Sequence, residues 1–251
     1  MFGFLKRRRR ERLFKAPFPE AWLAILQRNV ALYSRLSPES QAELRGHIQV
    51  LLAEKNFEAV GGLELTDEIR VTIAAHAAAL LLGRPARYYP GLYSIIVYPA
   101  AYRAPVTEHH DGGIVSEREE ERLGESWAEG ALVISWDDAM HGARTPGDGD
   151  NVILHEFAHQ LDTEDGEADG VPRLDARSDY IAWARVLRPE FERLRQRPSS
   201  SALDTYGATN AAEFFAVATE AYFERPAELR ERHPELHAEL RRFYRVDLTD
   251  E

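Results

Sequence analysis

Apolar residues recur at helical spacing through the first third of the chain. Residues 18–36 carry them on one face and predict a helix. Ser37 is the predicted N-cap of a second helix over residues 39–55, because proline follows it at the first helical position. Thr66 is the predicted N-cap of a third helix, which continues to residue 82.

Two later stretches have the composition of β-strands. Residues 92–98 and 131–136 are rich in β-branched and aromatic side chains. The polar segment between them, residues 109–122, predicts a loop with a turn at its two glycines or a short edge strand near Ile114. Helical spacing returns after residue 150 and continues to Tyr244. Helices followed by a few strands and then by helices predict an α+β fold with a small mixed sheet.

The composition is that of a globular protein. The chain has 251 residues, of which 44% are hydrophobic, and it has no cysteine. The missing cysteine excludes disulfide scaffolds, thiol nucleophiles and cysteine zinc sites, so a metal ion would need His, Asp or Glu ligands. We expect one domain over residues 18–251, preceded by a basic, flexible tail over residues 1–17.

The charge is unevenly distributed. Residues 6–12 hold six positive charges and one negative charge, and removing them from the net charge of −11 leaves −16. An acidic body argues against direct nucleic-acid binding. No apolar run follows the basic start as in a signal peptide, and none is long enough to span a membrane. We therefore expect a soluble, cytoplasmic protein.

The most informative motif is His155-Glu156-Phe157-Ala158-His159. Two histidines four residues apart lie on one face of a helix, where both imidazoles can reach a single ion. Glu156 lies beside that face, in a position to take a proton from water. This is the zinc-hydrolase pattern. The alternative is an ordinary amphipathic helix that carries two exposed histidines.

A catalytic zinc site needs a third protein ligand. Glu213 and Glu220 are both candidates, because a spacing of seven residues places them on one face of a helix. Spacing does not choose between them. Glu213 also fits a capping box with Asn210, in which its carboxylate would only bond back to the cap.

Three further residues have alternative interpretations. Asp162 lies near the face of the two histidines and could orient one of them, or it could be an ordinary acidic residue at the helix end. Glu220, if it is not a ligand, could support a ligand histidine in the same way or face solvent. Tyr206, taken by itself, is predicted to be a half-buried tyrosine in a loop.

The motif and its surroundings resemble the Mlc titration factor A family of bacterial zinc metallopeptidases, whose fold is similar to the catalytic domain of anthrax lethal factor. The resemblance covers residues 18–245 and is carried by residues 155–162 together with residues 93–100, 124–136 and 206–216. It implies that His155, His159 and Glu213 bind one zinc ion. It also implies that Glu156 is the catalytic base and that Tyr206 faces the reacting carbonyl.

The same resemblance implies aminopeptidase-type hydrolysis of short peptides. It also implies a regulatory role through binding of the glucose-responsive repressor Mlc. The competing hypothesis is a non-catalytic protein that sequesters a repressor and carries a structural or vestigial metal site.

Overall fold

The computed structural model describes residues 2–100, 102–110, 114–122, 124–127, 130–145, 147–197 and 201–248. For the strands between residues 102 and 127 it describes the backbone alone. The α-helices are α1 (Phe2–Phe14), α2 (Glu20–Asn29), α3 (Ala31–Arg35), α4 (Pro38–Glu54), α5 (Asp67–Ala79), α6 (Trp136–Arg144), α7 (Val152–Asp162), α8 (Arg177–Gln196), α9 (Ala211–Glu224), α10 (Pro226–Arg232) and α11 (Pro234–Tyr244). The strands are β1 (Asn56–Ala59), β2 (Ser94–Tyr98), β3 (Tyr102–His110), β4 (Ile114–Arg122), β5 (Gly124–Trp127) and β6 (Ala131–Ser135).

These elements confirm the predicted α+β class. Four strands form one sheet in the order β1-β2-β6-β5. The pairs β1–β2 and β2–β6 are parallel, whereas β5 runs antiparallel to β6. The sheet is therefore mixed, as expected. Strand β1 is missing from the sequence prediction, because four residues with one buried aromatic side chain, Phe57, give almost no periodic signal.

The polar segment between the two predicted strands is more regular than expected. Strands β3 and β4 pair along nine residues each, from Tyr102 opposite Arg122 to His110 opposite Ile114. The residues between these strands lie outside the described ranges. Charged side chains hide the strand pattern in this segment, since a two-stranded ribbon needs no alternation of buried and exposed positions.

Hydrogen bonds at helix starts confirm the predicted caps. The hydroxyl of Ser37 accepts from the backbone N–H of Ser40, and that of Thr66 accepts from Ile69. The helix predicted over residues 18–36 is divided in two, because the backbone of Val30 leaves the helical region at φ −130° and ψ 84°.

The Arg-rich start differs from the flexible tail that we expected. It forms helix α1, which packs against α4. Nε and Nη2 of Arg10 donate to the two carboxylate oxygens of Glu54, at 2.8 and 2.7 Å. The Phe14 ring lies over Gly46, where a β-carbon would come within 2.6 Å of it. These contacts join residues more than thirty positions apart, so local sequence gave no sign of them.

Helix α7 lies in the hydrophobic core and packs against α5 and α9. Its apolar side, including Ile153, Phe157 and Ala158, is fully buried, and the Phe157 ring contacts Tyr89 with 4.9 Å between centroids. One face of this helix is therefore fixed by packing, which leaves the histidine face directed toward α9. In the described part of the chain, no helix has both the length and the apolar character needed to cross a membrane.

Candidate metal centre

Helix α7 presents the two histidines of the motif together. The side chain of Asn151 caps the helix by accepting from the backbone N–H of Leu154 at 3.1 Å. The Nε2 atoms of His155 and His159 are 3.1 Å apart, and the two rings meet edge to face. Both side chains keep some exposure, 13% and 16%, so their nitrogens can be reached from solvent.

Helix α9 brings Glu213 to the same point. Its Oε2 lies 3.0 Å from Nε2 of His155 and 3.3 Å from Nε2 of His159. Of the two hydrogen bonds in the alternative capping box, the one accepted by Asn210 is found and the one that the Glu213 carboxylate would accept is not. The side chain of Asn210 does accept from the backbone N–H of Glu213, but the Glu213 carboxylate turns to the histidines.

The three atoms form a triangle that fits a small cation. Its edges, from 3.0 to 3.3 Å, are close to the separation of about 3.3 Å between neighbouring ligands of a tetrahedral zinc ion with bonds of 2.0–2.1 Å. Two imidazoles and one carboxylate are also a donor set that zinc favours. Among the described residues, His155, His159 and Glu213 are the group that could hold a metal ion.

Glu220 lies on the other side of the His155 ring. Its Oε1 is 2.7 Å from Nδ1 of His155, and its Oε2 accepts from the backbone N–H of Asn151 at 2.6 Å. With Nδ1–H donating to Glu220, the lone pair of Nε2 points toward Glu213 and His159. The two glutamates therefore lie at different nitrogens of the same imidazole, Glu213 at Nε2 and Glu220 at Nδ1.

The carboxylates of Glu213 and Glu220 strongly favour a positive charge at His155. Burial opposes a charge on His155, but the hydrogen bonds of Glu213 and Glu220 outweigh it and raise the pKa of His155 to about 10. Burial likewise opposes the charge of Glu213, yet hydrogen bonds from the two histidines lower its pKa to about 2. A metal cation in this position would meet the same attraction as the protons.

Glu156 is buried, with 6% of its surface exposed. Burial raises its pKa, the neighbouring charges of Glu213 and Glu220 raise it further, and the two histidines oppose that shift. A carboxyl group with a raised pKa next to a reacting centre is suited to accepting and returning protons. Its position in α7 agrees with the predicted base, whose role remains a prediction.

Tyr206 lies at the open side of the centre. It belongs to a 3₁₀ turn, Thr205–Ala208, that begins where the Asp204 side chain accepts from the Tyr206 backbone N–H. The ring is 55% exposed, and its centroid is 6.0 Å from that of His155. Tyr206 is thus about half exposed in a turn, as the alternative interpretation expects, and its ring also lies beside a site histidine.

Asp162 does not orient either histidine through a described hydrogen bond. Its Oδ2 instead accepts from the backbone N–H of Gly170, and this bond ties the end of α7 to the following loop. Burial raises the pKa of Asp162 to about 6. The other predicted supporting residue, Glu220, does contact a site histidine.

Sequence reasoning missed Glu224. Its Oε1 accepts from the side-chain amide of Asn151, and its Oε2 accepts from the backbone N–H of Gly147, so it holds the loop that leads into α7. A usable signal exists: Glu213, Glu220 and Glu224 are spaced by seven and four residues, which places all three on one face of α9.

We expect Glu220→Gln to weaken zinc binding by about 10- to 100-fold. Two donors, Nδ1–H of His155 and N–H of Asn151, each need an acceptor, and a glutamine offers one oxygen and an NH₂ group in place of two oxygens. Competition with a chromophoric chelator measures the affinity. Glu224→Gln is the matched control, because it makes the same change on the same helix without touching a histidine. Equal affinities for the two variants would contradict the orienting role.

Comparisons with known proteins find relatives over nearly the whole chain. Mlc titration factor A of Yersinia pestis is 29% identical over 246 residues, which span 94% of this chain and 89% of that protein. An uncharacterized protein of Synechocystis is 40% identical over 240 residues, which span 94% of this chain and 87% of that protein. The model of the family described as glucose-regulated metallo-peptidase M90 matches residues 4–245, a range that includes most of α1. The chain therefore belongs to the M90 family of glucose-regulated metallo-peptidases.

Proposed function

We propose that this protein is a zinc-dependent peptidase whose metal is held by His155, His159 and Glu213. The observation that carries the proposal is the triangle of two imidazole nitrogens and one carboxylate oxygen with edges of 3.0–3.3 Å. Zinc, when bound, supplies a Lewis acid that polarises a carbonyl group and lowers the pKa of water. Membership of a metallopeptidase family supports the same reaction class.

Three residues of the chain carry out the other steps of the proposed reaction. Glu156 accepts a proton from the attacking water and later donates it to the leaving amine, and burial keeps its pKa high enough for both steps. The hydroxyl of Tyr206 donates to the carbonyl oxygen as this atom gains negative charge. Glu220 fixes the His155 ring during these steps, since it bonds the ring nitrogen that faces away from Glu213.

The substrate class in this proposal is a short peptide with a free amino terminus, and the site of action is the cytoplasm. The substrate class rests on the family resemblance. Hydrolysis of matched reporters with free and acetylated amino termini tests the aminopeptidase preference. Equal rates for the two reporters would leave a peptidase without that preference.

We expect Glu156→Gln to retain stoichiometric zinc and to lose peptide hydrolysis, whereas His155→Ala loses both. Glutamine has the size of glutamate but cannot carry the proton, while alanine removes a metal ligand. Elemental analysis of the purified variants gives the zinc content, and a fluorogenic peptide gives the rate. Hydrolysis by Glu156→Gln at the wild-type rate would refute the proposed base. A wild-type protein without zinc would refute the reaction class.

Tyr206→Phe should lower kcat by about 10²- to 10³-fold, the usual cost of losing one oxyanion donor, while KM changes little. The ring and its packing beside His155 are kept, so only the hydroxyl is removed. Tyr93→Phe is the control, because Tyr93 is 68% exposed and belongs to no part of the proposed site. A kcat for Tyr206→Phe equal to that of the control would exclude this role.

A second function is favoured by one observation, the name of the relative Mlc titration factor A. In this alternative the protein binds an Mlc-like repressor, and the metal site is structural or vestigial. The acidic body, at −16 without the basic residues 6–12, suits a partner protein better than direct contact with DNA.

Binding of the repressor can be separated from catalysis. If the second function holds, a purified Mlc-like repressor is retained equally by immobilised wild type and Glu156→Gln, because that substitution leaves the surface unchanged. Size-exclusion chromatography of the mixed proteins checks that the complex is discrete. Absence of a complex with wild type would rule out this function for the repressor tested.

A further inference from the structure

A cavity of about 490 Å³ opens at the end of α7, apart from the candidate metal centre. Its walls come from residues 84–87, which follow α5, from residues between 164 and 179, which follow α7, and from residues 239–245 at the end of α11. It is lined by Glu164, which lies in the 3₁₀ turn directly after α7, and by none of the three proposed metal ligands. A volume of this size is in the range of small-molecule sites.

Arginines dominate the lining. Five arginines and four carboxylates face the cavity. Three ion pairs account for most of them: Arg87 with Glu164, Arg242 with Asp179 and Arg245 with Asp175. Within the described part of the chain, Arg84 and Arg173 have no carboxylate partner at ion-pair distance. The remaining carboxylate, Glu239, interacts with the charges of Arg242, Asp179 and Arg185.

The surplus positive charge is concentrated at one end. Burial raises the pKa of Glu164, the charges of Arg87, Arg84 and Arg173 oppose that shift, and the neighbouring charge of Asp165 adds to it. Arg87 pairs with Glu164 at 3.4 Å, and Arg84 and Arg173 line the same cavity. Because Glu239 lies toward α8 and α11, it does not neutralise this end.

Arg84 has an unfilled hydrogen-bonding position. Its guanidinium lies 4.0 Å above the centroid of the Phe243 ring, a contact that fixes its plane. The Nη1 atom is buried, and no hydrogen-bond partner for it is found among the described residues. Because Nη1 has almost no solvent-accessible surface, a ligand in the cavity meets the guanidinium of Arg84 through its other nitrogens.

We propose that this cavity binds a small, soluble phosphate monoester whose phosphoryl group lies among Arg84, Arg87 and Arg173. The lining carries one more arginine than carboxylates, which favours an anionic ligand, and guanidinium groups bind phosphate oxygens in pairs. The cavity has room beyond the phosphoryl group, where Glu239 accepts hydrogen bonds from hydroxyl groups of the ligand. The site is independent of the proposed peptidase function.

Titration of the full chain with inorganic phosphate and with glycerol 3-phosphate, at ionic strength kept constant with chloride, tests the site by calorimetry. We expect both probes to bind and glycerol 3-phosphate to bind more tightly. Arg84→Met and Arg173→Met each weaken binding by about 10-fold or more, and Glu164→Gln tightens it by about 3-fold because it removes a competing anion. Arg188→Met, an exposed arginine outside the cavity, leaves binding unchanged.

Three results would overturn the proposal. The first is absence of binding to the wild type at millimolar phosphate. The second is equal weakening by Arg188→Met and Arg173→Met, which would indicate general charge screening. The third is loss of binding in His155→Ala with the two arginine variants unaffected, which would place the anion at the metal centre. Arg173 is exposed, so its variant keeps the test valid if Arg84→Met fails to fold.

Discussion

His155 is held between two glutamates of a single helix, and the candidate chemistry depends on that contact. Glu220 bonds one ring nitrogen and also the backbone at the start of α7, while Glu213 faces the other nitrogen. Packing of α7 in the core sets the direction of the histidines, and α9 supplies both carboxylates. The fold and the site are therefore joined by the same pair of helices.

This arrangement is costly without positive charge. Glu156 and Glu220 are buried, and Glu213 is largely covered, so three carboxylates share a poorly solvated region beside two imidazoles. A proton on His155 neutralises part of that charge, as the raised pKa of this residue indicates. A divalent cation would neutralise it more completely. Bound metal should therefore stabilise the packing of α7 against α9 as well as supply chemistry.

Local features were predictable, and long-range ones were not. The caps at Ser37, Thr66 and Asn151 and the histidine face of α7 depend on residues within one or two turns, which a sequence pattern can show. Spacing could not distinguish Glu213 from Glu220, because their positions at opposite nitrogens of His155 depend on the relative placement of two helices. The docking of α1 and the arginine cavity join residues far apart in the chain. The periodicity of hydrophobic residues along the chain does not indicate such contacts.

The most direct test of the central claim is anomalous diffraction at the zinc edge from crystals of the purified protein. The account predicts one zinc ion per chain, at about 2.0–2.2 Å from Nε2 of His155, Nε2 of His159 and a carboxylate oxygen of Glu213, with Glu220 bonded to His155 and not to the metal. Zinc bound by Glu220 in place of Glu213, or no zinc at these residues, would contradict it.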